Sequence, residues 1–382
     1  MKIFNAIEKE DFLANYWQKK PFVFRQAFPS FESPISGDEL AGLAMEEEIE
    51  SRLVWQTPGK LPGWHLKRGP FSRSNFKKLP PSHWTLLVQA VDRFVPEVME
   101  LLDQFNFLPQ WRVDDVMISY AANGGGVGPH YDNYDVFLLQ AQGRRRWLLT
   151  TQHCHPANYL PNLELRIMKQ FEVEEEFILE EGDILYLPPH VGHNGISLSE
   201  ECMTYSFGYR SYPAKELWDS FSQHFWDEAS FSELYKDPDW SELKNSAEIP
   251  GEAVERAKKL LKKMIDGNDE QFSRWFGCFI TGLDEQAEGF ILPEKQRKRK
   301  KFLSAGALMR NPFSRFAYYE TPQFEFFING ECWDIKDVSS DLVKLVASNR
   351  IISTEELSQF IDNGPDYSFL NNLWELDLLT EV

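Results

Sequence analysis

An α+β fold centred on an antiparallel barrel or jelly roll is predicted by three features of the chain. Short alternating or β-rich apolar runs crowd the stretch after Trp111: DVMISYAA, YDVFLLQ, RRWLLTT, EEFILEEGDILYLPP and CMTYSFGYR. Turn residues bound each run, and five or more strands at this spacing argue for antiparallel pairing and not for βαβ units. Helical patterns lie on both sides of the stretch. Hydrophobic residues make up 42% of the 382 positions and aromatics 14%, which is enough to bury a core and excludes disorder.

Taken in order, residues 1 to about 100 alternate short helical patterns with Pro and Gly breaks. In EDFLANYWQKKPFVFRQAF an amphipathic turn stops at Pro21. A helical collar is expected here, joined to the strands as one domain over 1–212. After Pro213 three stripes recur at helical spacing: Leu217, Phe221 and Phe225; Val254, Ala257, Leu261 and Met264; Phe272, Trp275, Phe276 and Phe279. They predict a helical region over 213–290 whose aromatic faces serve a core or an isologous dimer contact. In FEFFINGECWDI, Asn329-Gly330 between two alternating strands signals a type I′ hairpin. A helix near DLVKLVASN follows, then another opened by the Ser353/Glu356 capping box. Hairpin plus small helices predicts a winged-helix-like domain over 300–382.

Charge narrows the function classes. With 59 acidic and 40 basic residues the formal net charge is -19, a field that repels phosphate backbones and attracts basic partners. Direct DNA binding is not expected. The basic run Lys295, Arg297, Lys298, Arg299, Lys300, Lys301 reads as a solvated linker. No run of about 18 apolar residues occurs, and MKIFNAIEKEDF lacks the features of a signal peptide, so a cytoplasmic location without membrane association is expected. Cys154, Cys202, Cys278 and Cys332 are scattered without a CxxC pair, as reduced thiols would be.

The chemistry is carried by SYAANGGGVGPHYDNYDVFLLQ. A strand runs into a glycine-rich loop and emerges through His130-Tyr131-Asp132. Residues i and i+2 on a strand face one side, so the imidazole and the carboxylate can converge on one ion. A third ligand should come from a later strand, and PPHVGH, about 60 residues on, offers both His190 and His193. Two histidines and one carboxylate leave open coordination positions, the arrangement of non-haem iron(II) oxygenases, although zinc or manganese fits it too.

In GRRRWLLT the set Arg145, Trp147, Leu149 alternates as one face, and the more polar set Arg144, Arg146, Leu148, Thr150 as the other. Arg145 is therefore expected to point inward, where a buried guanidinium needs an anion, and it offers a bidentate fork to a carboxylate. The same alternation groups Asp115, Met117 and Ser119. If Ser119 lines the cavity, Asp115 lines it nearer the mouth, where it could hold a cationic substrate side chain.

At these residues the sequence resembles the bacterial JmjC-type ribosomal oxygenases, a cupin-like group. The likeness runs through DFLANYWQKKPFVFRQAF, ISGDELAGLAMEEEIESRLV, DDVMISYAANGGGVGPHYDNYDVFLLQAQGRRRW, EEGDILYLPP and YSFGYR, most of the first 212 residues. It implies a double-stranded β-helix of the jelly-roll/cupin kind, a helical dimerisation segment and a C-terminal winged-helix-like domain. It implies an enzyme that uses Fe(II), 2-oxoglutarate and O2 to hydroxylate the β-carbon of an arginine in large-subunit ribosomal protein L-sixteen. By motif position His130, Asp132 and His193 take the metal, and Arg145 and Ser119 take 2-oxoglutarate. His190 falls where relatives need no histidine. Asp115, Tyr134 and Ser206 look like positions that contact the substrate arginine.

Rival readings use the same residues. A JmjC-type hydroxylase or demethylase of another protein would need the same triad. A non-catalytic metal-binding cupin would have no need of an inward arginine, and a ribosome-assembly protein would have no need of an intact triad.

Overall fold

The computed structural model describes residues 3, 4, 7–60, 63–226, 232–237, 247, 249–266, 269–290, 306–321 and 323–382. The basic run at 295–301 lies outside the described residues. Two compact units divide the chain, Met1–Ser211 and Tyr212–Val382.

In the first unit, α1 (Lys9–Asn15), β1 (Phe22–Phe24), α2 (Gly37–Leu43), β2 (Ser51–Gln56), β3 (Trp64–Arg68), α3 (Arg73–Phe76), β4 (Trp84–Val88) and α4 (Pro96–Leu101) precede the main strands. These are β5 (Val113–Ala121), β6 (His130–Tyr131), β7 (Asp135–Gln142), β8 (Arg145–Thr150), β9 (Glu175–Leu179), β10 (Ile184–Leu187), β11 (Gly192–Ser197) and β12 (Cys202–Tyr209). Two antiparallel sheets result. One has the order β1-β10-β7-β12-β5-β4-β2-β3 and the other β6-β11-β8-β9. Strands β5 to β12 are thus dealt between two facing sheets as a double-stranded β-helix.

The expected N-terminal helices are present, and strands the sequence does not reveal lie among them. Residues 1–100 hold short helices, but they also supply β1 to one edge of the larger sheet and β4, β2 and β3 to the other. Pro and Gly breaks make this segment look like punctuated helices. Its strands become visible only through pairing with β10 and β5, because sheet pairing, unlike helix formation, is decided between distant segments.

Each face of the larger sheet is covered. The outward face packs under the N-terminal layer in an aromatic core containing Phe12, Phe24, Phe105, Phe137, Tyr186 and Phe207. The Phe105 ring lies 5.0 Å from Phe137 and 4.5 Å from Phe207, contacts worth about 0.5–1.5 kcal/mol each beyond their burial. The inward face meets the smaller sheet through Val136, Leu138, Trp147, Leu149 and Leu187. Strand β12 is buried along its whole length for this reason, and β7 nearly so.

The second unit begins with α5 (Ala214–His224), α6 (Gly251–Asp266), α7 (Asp269–Thr281) and α8 (Glu285–Phe290). Phe221 of α5 and Phe225, the residue that caps its C-terminus, pack on Trp275 of α7. By contrast α6 buries no residue, and Val254 and Leu261 of its stripe are exposed. Next come β13 (Ala307–Arg310), β14 (Phe316–Tyr319), β15 (Glu325–Ile328), β16 (Glu331–Trp333), α9 (Ser340–Ser348), β17 (Ile351–Ser353), α10 (Thr354–Ser358), α11 (Gly364–Glu375) and β18 (Leu379–Glu381). The β15–β16 turn places Asn329 and Gly330 at φ 52° and 85°, the left-handed pair of a type I′ hairpin. The Ser353/Glu356 capping box opens α10. Leu308, Phe326, Leu342, Val346, Leu370 and Leu373 form the core of this module.

Candidate metal centre

Strand β5 ends at Ala121, and the glycine-rich loop returns the chain to the smaller sheet at β6. There His130 stands opposite His193 of β11, and their ring centroids are 4.2 Å apart. Asp132 Oδ2 lies 3.7 Å from His193 Nε2. Each of the three side chains offers one ligand atom, and those atoms all fall within 4.8 Å of one another. His190 is not in the group. It is exposed, its φ is 64°, and its backbone N–H donates to the Asp132 carbonyl at 2.8 Å. Its contribution is to hold the backbone of Asp132.

Backbone carbonyls orient both rings. His130 Nδ1 is 2.9 Å from the Gly128 carbonyl and His193 Nδ1 is 3.0 Å from the Val191 carbonyl. A carbonyl only accepts, so each Nδ1 carries the proton and each Nε2 keeps its lone pair for a metal. Burial lowers the His193 pKa to about 4, with the neighbouring His130 adding to the shift and Asp132 opposing it. His193 is therefore neutral at neutral pH, the form a metal requires.

Strand β8 runs beside β11 with Leu149 opposite His193, Trp147 opposite Gly195 and Arg145 opposite Ser197. Directly paired residues share a face, so Arg145 and His193 look into the same interior. Arg145 is 4% exposed, and its Nε and Nη2 have no hydrogen-bond partner among the described residues. Buried donors of a cation left in this condition fit an anionic ligand. Two ring-oriented histidines, a carboxylate and this orphaned fork suit a metal plus a carboxylate cosubstrate.

From the larger sheet, β5 presents Asp115 and Ser119 to the interior, both buried. Ser119 Oγ donates to the Thr204 carbonyl at 3.4 Å. Asp115 Oδ2 accepts from Gln89 Nε2 at 2.6 Å and from the Ala90 N–H at 3.0 Å. Burial, reinforced by the charges of Asp114 and Asp92, pushes its pKa up to about 7. Ser206 of β12 is buried and paired with Met117, two residues from each of Asp115 and Ser119. Tyr134 is 42% exposed, yet Asp132, burial of its hydroxyl and Asp115 together hold that hydroxyl well above the usual phenol range.

Gln89 escaped the sequence reading. It directly follows β4, and its contact with Asp115 spans 26 positions, so no local pattern marks it. His130, Asp132 and His193 are brought together, and Arg145 lies on the same face of the smaller sheet. No disulfide joins the four cysteines, and among the described residues no helix is long and apolar enough to cross a membrane.

Comparison with known proteins places this geometry in a family. A JmjC domain model matches residues 100–217, and a ROXA-like winged helix model matches residues 259–380. The ribosomal protein uL16 3-hydroxylase of Escherichia coli (strain K12) is 41% identical over 276 residues, covering 71% of this chain and 70% of that protein. A probable ribosomal oxygenase of Haemophilus influenzae is 37% identical over 380 residues, covering 94% of this chain and 91% of that one. Among solved structures, the Escherichia coli ribosomal oxygenase YcfD in complex with cobalt and 2-oxoglutarate superposes with a TM-score of 0.81 at 32% identity, covering 98% of both chains. The chain belongs to the JmjC-type ribosomal oxygenase family.

Proposed function

We propose that this chain is an iron(II) and 2-oxoglutarate dependent enzyme that hydroxylates the β-carbon of an arginine side chain in ribosomal protein uL16. The observation that carries the reading is the orphaned Arg145 guanidinium on the interior face it shares with His193. A metal-storing cupin has no use for such a group, whereas a dicarboxylate cosubstrate satisfies it. The relative named as a uL16 3-hydroxylase and the neighbour solved with cobalt and 2-oxoglutarate support the same choice.

In this reading His130, Asp132 and His193 hold iron, and Arg145 with Ser119 binds the far carboxylate of 2-oxoglutarate. Asp115, Tyr134 and Ser206 receive the substrate arginine. The chemistry that iron, 2-oxoglutarate and O2 supply is insertion of one oxygen atom into a C–H bond, with succinate and CO2 as coproducts. The protein's own work is placement. A buried Asp115 whose ionisation is resisted gains most from a guanidinium partner, which anchors the substrate head group. The net charge of -19 favours encounter with a basic ribosomal protein.

The reading extends to a homodimer formed through the helical region 213–290, to a winged-helix-like domain over 300–382 and to work in the cytoplasm. Support for the dimer is the exposed Val254 and Leu261 stripe on α6.

The test is mass spectrometry of a uL16 peptide incubated with the protein, Fe(II), ascorbate and 2-oxoglutarate, beside a His130→Ala control. Gain of one oxygen atom on an arginine, absent in the control, is expected. Turnover of 2-oxoglutarate without a mass gain would discard the substrate, and no turnover would discard the oxygenase.

A further inference from the structure

Trp147 sits between the two ends of the proposed cosubstrate site. Along the interior face of β8, Leu149 stands opposite His193, Trp147 opposite Gly195 and Arg145 opposite Ser197. Leu149 and Arg145 are thus about 13 Å apart along the strand, with Trp147 midway. Its ring centroid is 5.9 Å from that of His193 and 5.8 Å from the Arg145 guanidinium carbon. Gly195 permits this placement, because a Cβ there would stand 2.7 Å from the six-membered ring of the indole.

Trp147 is 5% exposed, and its indole Nε1 is buried with no hydrogen-bond partner among the described residues. A buried tryptophan N–H ordinarily finds an acceptor. Arg145 Nε and Nη2 are orphaned in the same way two residues along the same face. Three buried, unsatisfied donors on neighbouring side chains share one explanation, an anion bound among them.

We propose that the Trp147 indole N–H is a further donor to the far carboxylate of 2-oxoglutarate, acting beside Arg145. The inference rests on the cosubstrate site proposed above. Arg145 supplies charge, while the rigid indole, braced on the Gly195 backbone, fixes where along the strand the carboxylate ends. This sets the length of acid that can reach both the guanidinium and the metal.

The test uses the full chain loaded with Zn(II), a diamagnetic stand-in for iron, and 15N-labelled at tryptophan. Titration with 2-oxoglutarate is expected to move one indole N–H resonance, identified by its loss in Trp147→Phe. In that variant 2-oxoglutarate binds about 10-fold more weakly by calorimetry, with Zn(II) affinity unchanged. If Trp147→Phe does not fold, selective broadening by Mn(II) identifies the indole beside His193 in the unaltered protein. Binding of 2-oxoglutarate that leaves this resonance in place overturns the inference and makes Trp147 a core residue only. Failure of the unaltered protein to bind 2-oxoglutarate at all overturns instead the cosubstrate site on which it rests.

Discussion

His193 faces His130 across the β6–β11 pair at 4.2 Å between ring centroids, and each ring is held by the carbonyl two residues before it, Val191 and Gly128. The two rings are therefore oriented by their own strands and not by neighbouring side chains. His193 Nε2 lies 3.7 Å from Asp132 Oδ2, and one ligand atom of each of the three residues falls within 4.8 Å of the others. Replacing His193 with Gln keeps the side chain's polarity but loses the fixed imidazole. Iron affinity, followed by competition with a chelator, is expected to fall on the order of 100-fold or more. A near-normal affinity would remove His193 from the ligand set.

Gly128 makes the second prediction. Its φ is 82°, and an added Cβ would meet the Ile167 Cδ1 at 2.5 Å and the Trp64 ring at 2.9 Å. The Ile167 end can move, but the left-handed backbone cannot be adopted cheaply by alanine. Gly128→Ala is expected to cost about 1–2 kcal/mol in urea unfolding, and to weaken metal binding about 10-fold by shifting the carbonyl that orients His130. Equal metal affinity in the two proteins would show that the carbonyl contact does not matter.

Arg145 makes the third. Its Nε and Nη2 are buried without a hydrogen-bond partner among the described residues, a condition that costs the fold stability. Arg145→Met is expected to unfold at a higher denaturant concentration, by about 1 kcal/mol or more. The same variant should lose the stabilisation given by 2-oxoglutarate, about 2.7 kcal/mol at 100 times its Kd. A variant less stable than the parent that still responds to 2-oxoglutarate would contradict both halves of the argument.

How much of this was legible depended on the range of the interactions. The HxD pair and the inward face of Arg145 follow from strand alternation, which is local, and β5, β7, β8 and β12 show the same pattern. The site's other half was hidden. Strand β6 is two residues long and β11 reads GHNGIS, so neither carries an apolar pattern, and both exist because β8 and its neighbours pair with them. Spacing left His190 and His193 equivalent, and only the fold turns one inward. Asp115 carried no mark of its raised pKa, because the shift comes first from burial, which only the fold creates, and Asp92, which adds to it, approaches from 23 positions away. The strands β1 to β4 were hidden for the same reason as β6.

The exposed stripe on α6 makes the fourth prediction. Val254 and Leu261 lie on one face of α6, about two turns apart, and are 45% and 49% exposed on a helix that buries none of its residues. If this face closes the proposed dimer, Val254→Glu with Leu261→Glu should shift sedimentation from dimer to monomer while leaving 2-oxoglutarate binding intact. An unchanged sedimentation coefficient would locate any self-association elsewhere.

Asp115 makes the last, and its sign can be worked out. Its pKa rises from an ordinary 3.8 to about 7 mainly through burial, with Asp114 and Asp92 adding. Below the unfolded value the carboxyl is neutral in both states, and its burial costs little. As pH rises from about 4 to about 7 the unfolded chain releases the proton first, so stability falls across that window and stays lower above it. Asp115→Asn should therefore gain on the parent between pH 5 and pH 8 in urea unfolding. Substrate binding should run the opposite way, because a guanidinium needs the ionised carboxylate. In the unaltered enzyme the KM for an arginine peptide is expected to rise as pH drops below about 7, and in Asp115→Asn to be high and flat. A parallel pH dependence in the two proteins would place the substrate arginine on another group.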